Sequence, residues 1–299
     1  MHIRNYFIQL LLLLTLEAFM PVYADEMLTT ESVLNAASAE DWRKPDQKNL
    51  LYVQLENGEV IFEVAPAFAA KHIANIRQLV ANRYFDGIPI IRSQDNYVVQ
   101  WGDPAVGTKA AKKLGAAKMQ LEPEFFRNKT GLNINNLDSR DAYADEVGFA
   151  DGFPVASDGR RAWLTHCYGM LGVGRDMAAN SGNGAELYVV TGHSPRHLDR
   201  NVTMIGRALK GIEHLSSLPR GTGQLGMFES EKEYVKIVAI RFGNELPVES
   251  RVNLEVMRTD TQTFTKYIQT RTHRLHEWFV DSAGRIELCN VSVPVRSGD

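Results

Sequence analysis

Arg92 lies in the mostly apolar stretch IIRSQDNYVVQWGD, with Gln100 eight residues and Gly102 ten residues further on. Isoleucines precede the arginine, and Val98 and Val99 follow it, a pattern typical of extended segments. A guanidinium stays charged and offers rigid, planar hydrogen-bond donors. Held in place, it could stabilise charge that develops on a bound group, and this chemistry needs no nucleophile, metal or cofactor.

Other catalytic patterns are missing or weak. The chain has no G-x-S-x-G elbow, and the stretch GVGRDMAANSGNG contains neither G-x-G-x-x-G nor G-K-[ST]. His166 and Cys167 are adjacent, and neighbours on a strand point to opposite faces, so they make a poor catalytic pair. Asp145 and Glu146 lie in a polar stretch, where solvated carboxylates are the common outcome. The eight histidines show no metal-ligand spacing, so we expect no metal.

The composition is that of an ordinary globular protein. Of the 299 residues, 44% are hydrophobic and 23% are charged, which suits one large domain with additions or two modest domains. The formal net charge is −3, and acidic and basic residues are mixed along the chain. Because no basic block indicates a nucleic-acid-binding face, we expect no nucleic-acid partner.

Residues 1–24 have the pattern of a secretory signal peptide. A short basic start precedes an apolar run centred on residues 10–14, and the run ends at a small-x-small cleavage site, VYA, at residues 22–24. The run is too short for a retained membrane span, and no later stretch is apolar enough to cross a bilayer. We expect an exported protein, in the bacterial periplasm, with no stable membrane insertion after cleavage; an uncleaved anchor is the alternative.

Two cysteines, Cys167 and Cys289, are an even number for an oxidising compartment. A disulfide between them would tie the end of the chain to its middle. Two free buried thiols are the alternative, and both interpretations stay open because sequence does not report the distance between the cysteines.

The order of apolar patterns predicts a mainly β fold after a leader at residues 25–47. The stretch LLYVQLENGEVIFEVAP predicts two strands around Asn57-Gly58, a strong hairpin signal. A helix is predicted next, with Pro66 near its start and Gly87 beyond its end. Its apolar positions are Phe68, Ile73, Ile76, Leu79 and Val80.

Further strands are predicted in AWLTHCYGMLGVG, AELYVVTG, VTMIGRAL and YVKIVAIRFG, with a short helix in GIEHLSSL. Many strands and two helices predict a closed antiparallel β-barrel capped by the helices, because closure removes exposed strand edges.

Two parts are predicted to lie outside the barrel. Residues 104–161, approximately, have weak periodicity and are interpreted as a long insertion rather than a second core. Residues 247–299 predict a small strand–helix–strand extension that is too short to hold a core alone, so we expect it to pack on the barrel. Its helix places four apolar residues on one face: Phe264, Ile268, Leu275 and Trp278.

The order of these motifs resembles the cyclophilin family of peptidyl-prolyl cis–trans isomerases. The segment GEVIFEVAP, the helix and YFDGIPIIRSQDNYVVQWGDP match the family's early strand, helix and R…Q-x-G-D block without a gap. Two later segments, GMLGVG…NSGNGAELYVVTG and HLDRNVTMIGRALKG, resemble two further family blocks. The resemblance covers roughly residues 48–243 and implies a divergent, exported bacterial member with a cyclophilin-like domain at 48–246.

The resemblance also implies roles for individual residues. Arg92 falls on the family's catalytic arginine, and Gln100 on the glutamine that positions it. The implied substrate-binding residues are Tyr97, Val98, Glu186, Tyr188, His197 and Leu198.

Three positions depart from the family pattern. Ile91 replaces a histidine, Glu186 replaces a glutamine, and Val202 replaces a histidine at the pocket rim. A carboxylate at 186 could pair with Arg92 and compete with substrate, or it could hold the guanidinium in place.

The implied activity is cofactor-free isomerisation of X–Pro bonds in exported proteins, assisting their folding, with proline-containing polypeptides as substrates. The altered rim, which consists of Ile91, Glu186, Val202 and the loop at residues 175–183, leaves an alternative, a catalytically weak module that binds proline-containing segments as a chaperone or scaffold. An envelope protein could bind through the insertion or the extension. The plain alternative for Arg92 is a surface arginine that covers Ile90.

Overall fold

The computed structural model describes residues 28–298, so the predicted signal peptide lies outside the described part of the chain. The helices are α1 (Thr30–Asn35), α2 (Pro66–Ala81), α3 (Glu213–Ser216) and α4 (Gln262–Thr272). The strands are β1 (Trp42–Arg43), β2 (Leu50–Leu55), β3 (Gly58–Val64), β4 (Pro89–Ser93), β5 (Val98–Trp101), β6 (Arg127–Asn128), β7 (Asn135–Asn136), β8 (Glu146–Ala150), β9 (Phe153–Ser157), β10 (Arg161–Leu164), β11 (Met170–Val173), β12 (Leu187–Val190), β13 (Met204–Lys210), β14 (Val235–Phe242), β15 (Leu254–Met257) and β16 (Val295–Ser297).

Eight of these strands close into the predicted antiparallel barrel, in the order β11-β12-β5-β4-β14-β2-β3-β13. The predicted hairpin joins β2 to β3, with Leu55 opposite Gly58 across the turn. The barrel interior is filled by buried apolar side chains such as Phe62, Trp101 and Phe242. The mainly β fold and the closed barrel predicted from the sequence are therefore confirmed.

Two helices complete the barrel core, as predicted. Helix α2 begins at Pro66, and all five of its predicted apolar positions are buried. Four of them pack in the barrel core, and so does Leu215 of α3. The fifth, Phe68, packs in a different apolar cluster, described next.

A second hydrophobic core lies outside the barrel, contrary to the expectation for the insertion. Strands β6–β10 form a five-stranded sheet, and its buried side chains include Phe149, Val155 and Trp163. The predicted strand AWLTHCYGMLGVG is in fact divided: Leu164 ends the insertion sheet and Met170 begins the next barrel strand. The sequence hides this division because both strands are buried, so the apolar run shows no break in pattern.

The leader and the C-terminal extension complete this second core. Strands β1, β15 and β16 form a three-stranded sheet, and Val33 of α1 and Phe264 of α4 are buried in the same cluster as the insertion sheet. The leader is therefore not structureless, and the extension packs mainly on the insertion. Leu254 and the outer side of β2 and β3 supply the smaller contact with the barrel.

The extension has the predicted strand–helix–strand order, but its helix is shorter than predicted. Helix α4 ends at Thr272, so Leu275 and Trp278 are not on the buried face; they are 62% and 75% exposed. A disulfide between Cys167 and Cys289, whose Cα atoms are 4.9 Å apart, joins the extension to the segment that follows the insertion sheet.

Across residues 28–298, no helix combines the length and the apolarity that a membrane span requires.

Candidate active site

One row of side chains crosses three neighbouring strands of the barrel. Arg92 of β4 lies opposite Gln100 of β5, and Gln100 lies opposite Tyr188 of β12 on its other side. Residues paired in this way share one face of the sheet. The residues between them in sequence, such as Val99 and Val189, belong to the barrel core, so the row lies on the outer face of the barrel.

The guanidinium of Arg92 is held by three acceptors. Its Nη1 donates to Gln100 Oε1 at 3.0 Å, its Nε donates to the Leu225 carbonyl at 2.7 Å, and its Nη2 donates to Gln94 Oε1. Because arginine has five N–H groups, two remain for a ligand after these three. The arginine is therefore fixed in position and still able to donate.

The surroundings of Arg92 favour a partly desolvated cation. Burial lowers the pKa of Arg92, and the nearby Tyr97 and Glu186 partly oppose that shift. The Tyr97 ring centroid lies 5.4 Å from the Arg92 Cζ atom, within the range of a cation–π contact. An electrostatic interaction with a bound group is stronger in such a site than in water.

Glu186 holds Gln100 rather than pairing with Arg92. Gln100 Nε2 donates to Glu186 Oε1, while Gln100 Oε1 accepts from Arg92. Arginine can only donate, so this pair of contacts fixes which way the Gln100 amide faces. Of the two roles considered for Glu186, the hydrogen bonds support the one that keeps the guanidinium in place.

A cavity of about 470 Å³ opens beside Arg92 on this face. Its wall is mostly apolar, and the cationic donor stands at one edge. The end of β11 and the loop that follows it supply the largest share of the wall, and strands β5 and β12 and the segment after β12 supply most of the rest. The lining residues are Arg92, Tyr97, Val98, Gln100, Val173, Gly174, Arg175, Asp176, Met177, Tyr188, Leu198 and Val202.

Most of the residues singled out in the sequence meet at this cavity. Arg92, Gln100 and the four predicted apolar or aromatic residues at 97, 98, 188 and 198 all line it. Glu186 stands behind Gln100 and lines a neighbouring, larger cavity. His197 is exposed and does not line the cavity, because its side chain and that of Leu198 diverge in a short 3-10 turn.

Sequence analysis missed several residues of the site. Gln94 lies two positions after Arg92, so strand alternation could have placed it on the same face. The Leu225 carbonyl is 133 positions away, and no local pattern points to it. The rim loop at residues 175–183 was singled out, but not Met177 within it, which is 95% exposed at the cavity. Arg175 holds this loop by donating to the Asp176 carbonyl at 2.7 Å.

The site can bind an apolar ring and direct N–H donors at a group beside it. In the described residues, no cluster of three or more His, Cys, Asp and Glu side chains is arranged to hold a metal ion. The available chemistry is therefore hydrogen bonding and electrostatic stabilisation by Arg92 over an apolar wall.

Sequence and fold comparisons show that the chain is similar to several known proteins. A family model described as cyclophilin type peptidyl-prolyl cis-trans isomerase/CLD matches residues 50–242. Probable peptidyl-prolyl cis-trans isomerases of Brucella abortus and Brucella suis are each similar to this chain, with 21% identity over 177 residues, which is 59% of this chain and 74% of the relative.

A solved structure shares the fold across most of the molecule. The cyclophilin AquaCyp293 from Hirschia baltica is 25% identical, with a TM-score of 0.68, and the match covers 91% of this chain and 99% of that one. This coverage extends beyond residues 50–242, so the likeness includes parts of the leader or the C-terminal extension as well as the barrel.

Proposed function

Because the chain belongs to the cyclophilin-type peptidyl-prolyl cis–trans isomerase family, we propose that it isomerises X–Pro bonds of exported polypeptides and so assists their folding. The observation that carries the proposal is the row formed by Arg92, Gln100 and Tyr188 beside an apolar cavity. Proline-containing segments are the ligands that this combination suits, since a proline ring is apolar and its amide accepts hydrogen bonds.

The reaction is slow without help because the amide is resonance-stabilised. Rotation about the C–N bond has a barrier of about 18–20 kcal/mol. As the bond twists, resonance is lost and the proline nitrogen becomes pyramidal and basic. A donor placed at that nitrogen binds the twisted state more tightly than either planar isomer, which lowers the barrier.

Arg92 is the donor that fits this role. Two of its N–H groups remain after its contacts with Gln100, Gln94 and Leu225. These contacts fix the guanidinium before substrate arrives, so little reorganisation is needed during the reaction. The apolar wall at Val98 and Tyr188 would bind the proline ring and exclude water from the twisting amide.

Arg92→Ala tests the proposal in a protease-coupled assay with a proline tetrapeptide. We expect kcat/KM to fall about a hundredfold or more, because one preorganised donor is lost from the transition state. Arg92→Lys keeps the charge and loses the planar fork, so it should recover only a small part of the rate.

The matched control is Arg258→Ala. Arg258 is also a paired arginine, bonded to Asp260, and it does not line the cavity. It lies in the second module, by which we mean the leader, the insertion sheet and the C-terminal extension that share the second core. Its loss should leave kcat/KM unchanged. Wild-type protein that binds the peptide without accelerating isomerisation would instead indicate the weakly catalytic binding module.

Export is supported by the Cys167–Cys289 disulfide, since such bonds persist mainly in oxidising compartments. Together with the signal pattern at residues 1–24, this favours the periplasm of a bacterium as the site of action. Expression in a bacterial host should yield a periplasmic protein whose N-terminal residue is Asp25. Intact protein in the cytoplasmic fraction would count against this localisation.

A further inference from the structure

Behind the cavity, Tyr188 contacts a connected set of buried polar side chains. Its hydroxyl lies 2.9 Å from His166 Nε2, and His166 Nδ1 lies 2.8 Å from Asp199 Oδ1. Asp199 Oδ2 accepts from Arg196 Nε at 2.6 Å, and Arg196 in turn donates to both carboxylate oxygens of Asp141. Asp141 and His166 come from the insertion and its end, so the network joins the cavity wall to the second module.

The hydrogen bonds in this network have a defined direction. Burial raises the pKa of Asp199, but hydrogen bonds from His166 and the charge of Arg196 outweigh burial and hold it below the ordinary value. The carboxylate can only accept, so His166 Nδ1 carries a proton. The Tyr188 hydroxyl has two partners on this side, His166 Nε2 at 2.9 Å and the Met204 sulfur, to which it can donate, at 3.4 Å. The hydroxyl therefore points away from the cavity.

The Tyr188 ring is also held by Gly172 next to the ring and by His166 at its hydroxyl end. Gly172 is its cross-strand partner, and a Cβ atom at 172 would lie only 2.4 Å from Tyr188 Cζ. At the end of the ring, the His166 imidazole meets the hydroxyl, and the two ring planes are nearly parallel, at an interplanar angle of 10°. The close approach of Gly172 and this end contact together fix the orientation of the Tyr188 ring, which forms part of the cavity wall.

We propose that His166 and Asp199 are positioning residues that hold Tyr188 as the wall of the proline pocket and keep its hydroxyl outside the pocket. This inference rests on the proposed isomerase function. It assigns the second module a part in substrate binding, because His166 follows the insertion sheet and Asp199 also accepts from Trp163 of that sheet at 3.3 Å. Proline affinity would then depend on residues that never touch the substrate.

Substituting His166 and Tyr188 singly and together tests this proposal. His166→Phe keeps a flat ring of similar size and leaves the buried Tyr188 hydroxyl without its His166 partner, so that only the weak acceptor Met204 Sδ remains, at 3.4 Å. A buried hydroxyl that loses its partner is costly, so it should turn toward the cavity or draw water into it. Tyr188→Phe combined with His166→Phe replaces this polar contact by an apolar pair, and Asp199 Oδ1 keeps the His166 backbone N–H as a donor at 3.0 Å. The double change should therefore disturb the pocket less than His166→Phe alone.

We expect His166→Phe to raise the KM for a proline tetrapeptide about tenfold, with kcat changed by less than about twofold. Tyr188→Phe should raise KM about threefold, and the double variant should return to within about twofold of wild type. The Kd of the same peptide, measured by NMR titration, should follow KM. Arg92→Ala should show the opposite result: its main effect should be a lower kcat and not a higher KM.

Tyr267→Phe is the matched control. It removes a buried hydroxyl from the same second core, bonded to the Ser292 carbonyl at 2.8 Å, and should lower the melting temperature without changing KM. Unchanged KM and Kd in active His166→Phe protein would overturn the inference. If that variant does not fold, unchanged KM in Tyr188→Phe would overturn it. A wild-type protein with neither turnover nor peptide binding would instead overturn the proposed function, and the inference with it.

Discussion

At the scale of single residues, the contribution of Glu186 depends on its hydrogen bond to Gln100, which in turn contacts Arg92. Its carboxylate is largely desolvated, and burial raises its pKa above the ordinary 4.5; Asp176 adds to the shift, while Gln100 and Arg92 partly oppose it. The carboxylate reaches Arg92 only through the Gln100 amide. An ionised Glu186 therefore costs folding free energy at neutral pH while it orients the amide that holds the guanidinium.

Glu186→Gln should separate the energetic cost of the buried charge from the hydrogen bond that orients the Gln100 amide. A raised folded-state pKa means that ionisation is unfavourable in the folded protein, so the wild type loses stability as pH rises through and above 4.5. The neutral variant lacks this loss. We expect its melting temperature at pH 7 to exceed that of the wild type by roughly 2–4 °C, the shift that corresponds to about 1 kcal/mol. The difference should disappear at about pH 4, where both side chains are neutral.

The control for this comparison is Glu249→Gln. Glu249 is exposed, so neutralising it should change the melting temperature little at either pH. Thermal unfolding followed by circular dichroism at the two pH values provides the measurement. A variant that is less stable than wild type at pH 7 would show that the charge of Glu186 is favourable in the folded state.

At the scale of elements, α4 joins the extension to the insertion sheet. Thr261 caps the helix by accepting from the Phe264 backbone N–H at 3.2 Å. The Phe264 ring is fully buried and meets the Phe149 ring of β8 edge to face, with centroids 5.2 Å apart. The helix is short, so its stability depends on this packing more than on its own propensity.

Phe264→Ala should destabilise the protein by about 3–5 kcal/mol, the usual cost of deleting a buried phenylalanine. Urea unfolding would measure the change in the free energy of unfolding. Lys266→Ala, on the exposed side of the same helix, should change it by less than about 0.5 kcal/mol. Equal effects of the two substitutions would mean that the helix does not pack on β8 as described.

At the scale of the whole molecule, the cavity beside Arg92 lies where the two cores meet. Val98 and Tyr188 line the cavity, and they belong to the second core rather than to the barrel core. They project from the outer face of strands whose alternate residues fill the barrel. The second module therefore covers the back of the pocket. A change that destabilises this module should also alter the shape of the pocket.

Removing the disulfide should weaken this assembly. Cys167 and Cys289 are separated by 122 positions, so their bond restricts a large loop of the unfolded chain. Replacing both by serine should lower the free energy of unfolding by about 2–5 kcal/mol. A thiol reductant should lower the melting temperature of the wild type to that of the double variant and leave the variant unchanged. A non-reduced mass that corresponds to two free thiols would contradict the bond.

The sequence by itself determined the barrel, the α2 helix and most of the pocket. Local periodicity reports which residues of a strand or helix are buried, and the R…Q-x-G-D block places Arg92 and Gln100 on paired strands. The resemblance to the cyclophilin family, and not periodicity, implied the pocket residues Tyr97, Val98, Tyr188 and Leu198, and all four line the cavity.

Only the tertiary structure decided the rest. The insertion strands are two to five residues long, too short to show a period, so their shared core with the leader and extension was not visible. The Leu225 carbonyl on Arg92 and His166 behind Tyr188 come from segments distant in sequence. Whether distant segments meet depends on how the chain closes on itself, which composition and spacing do not encode locally.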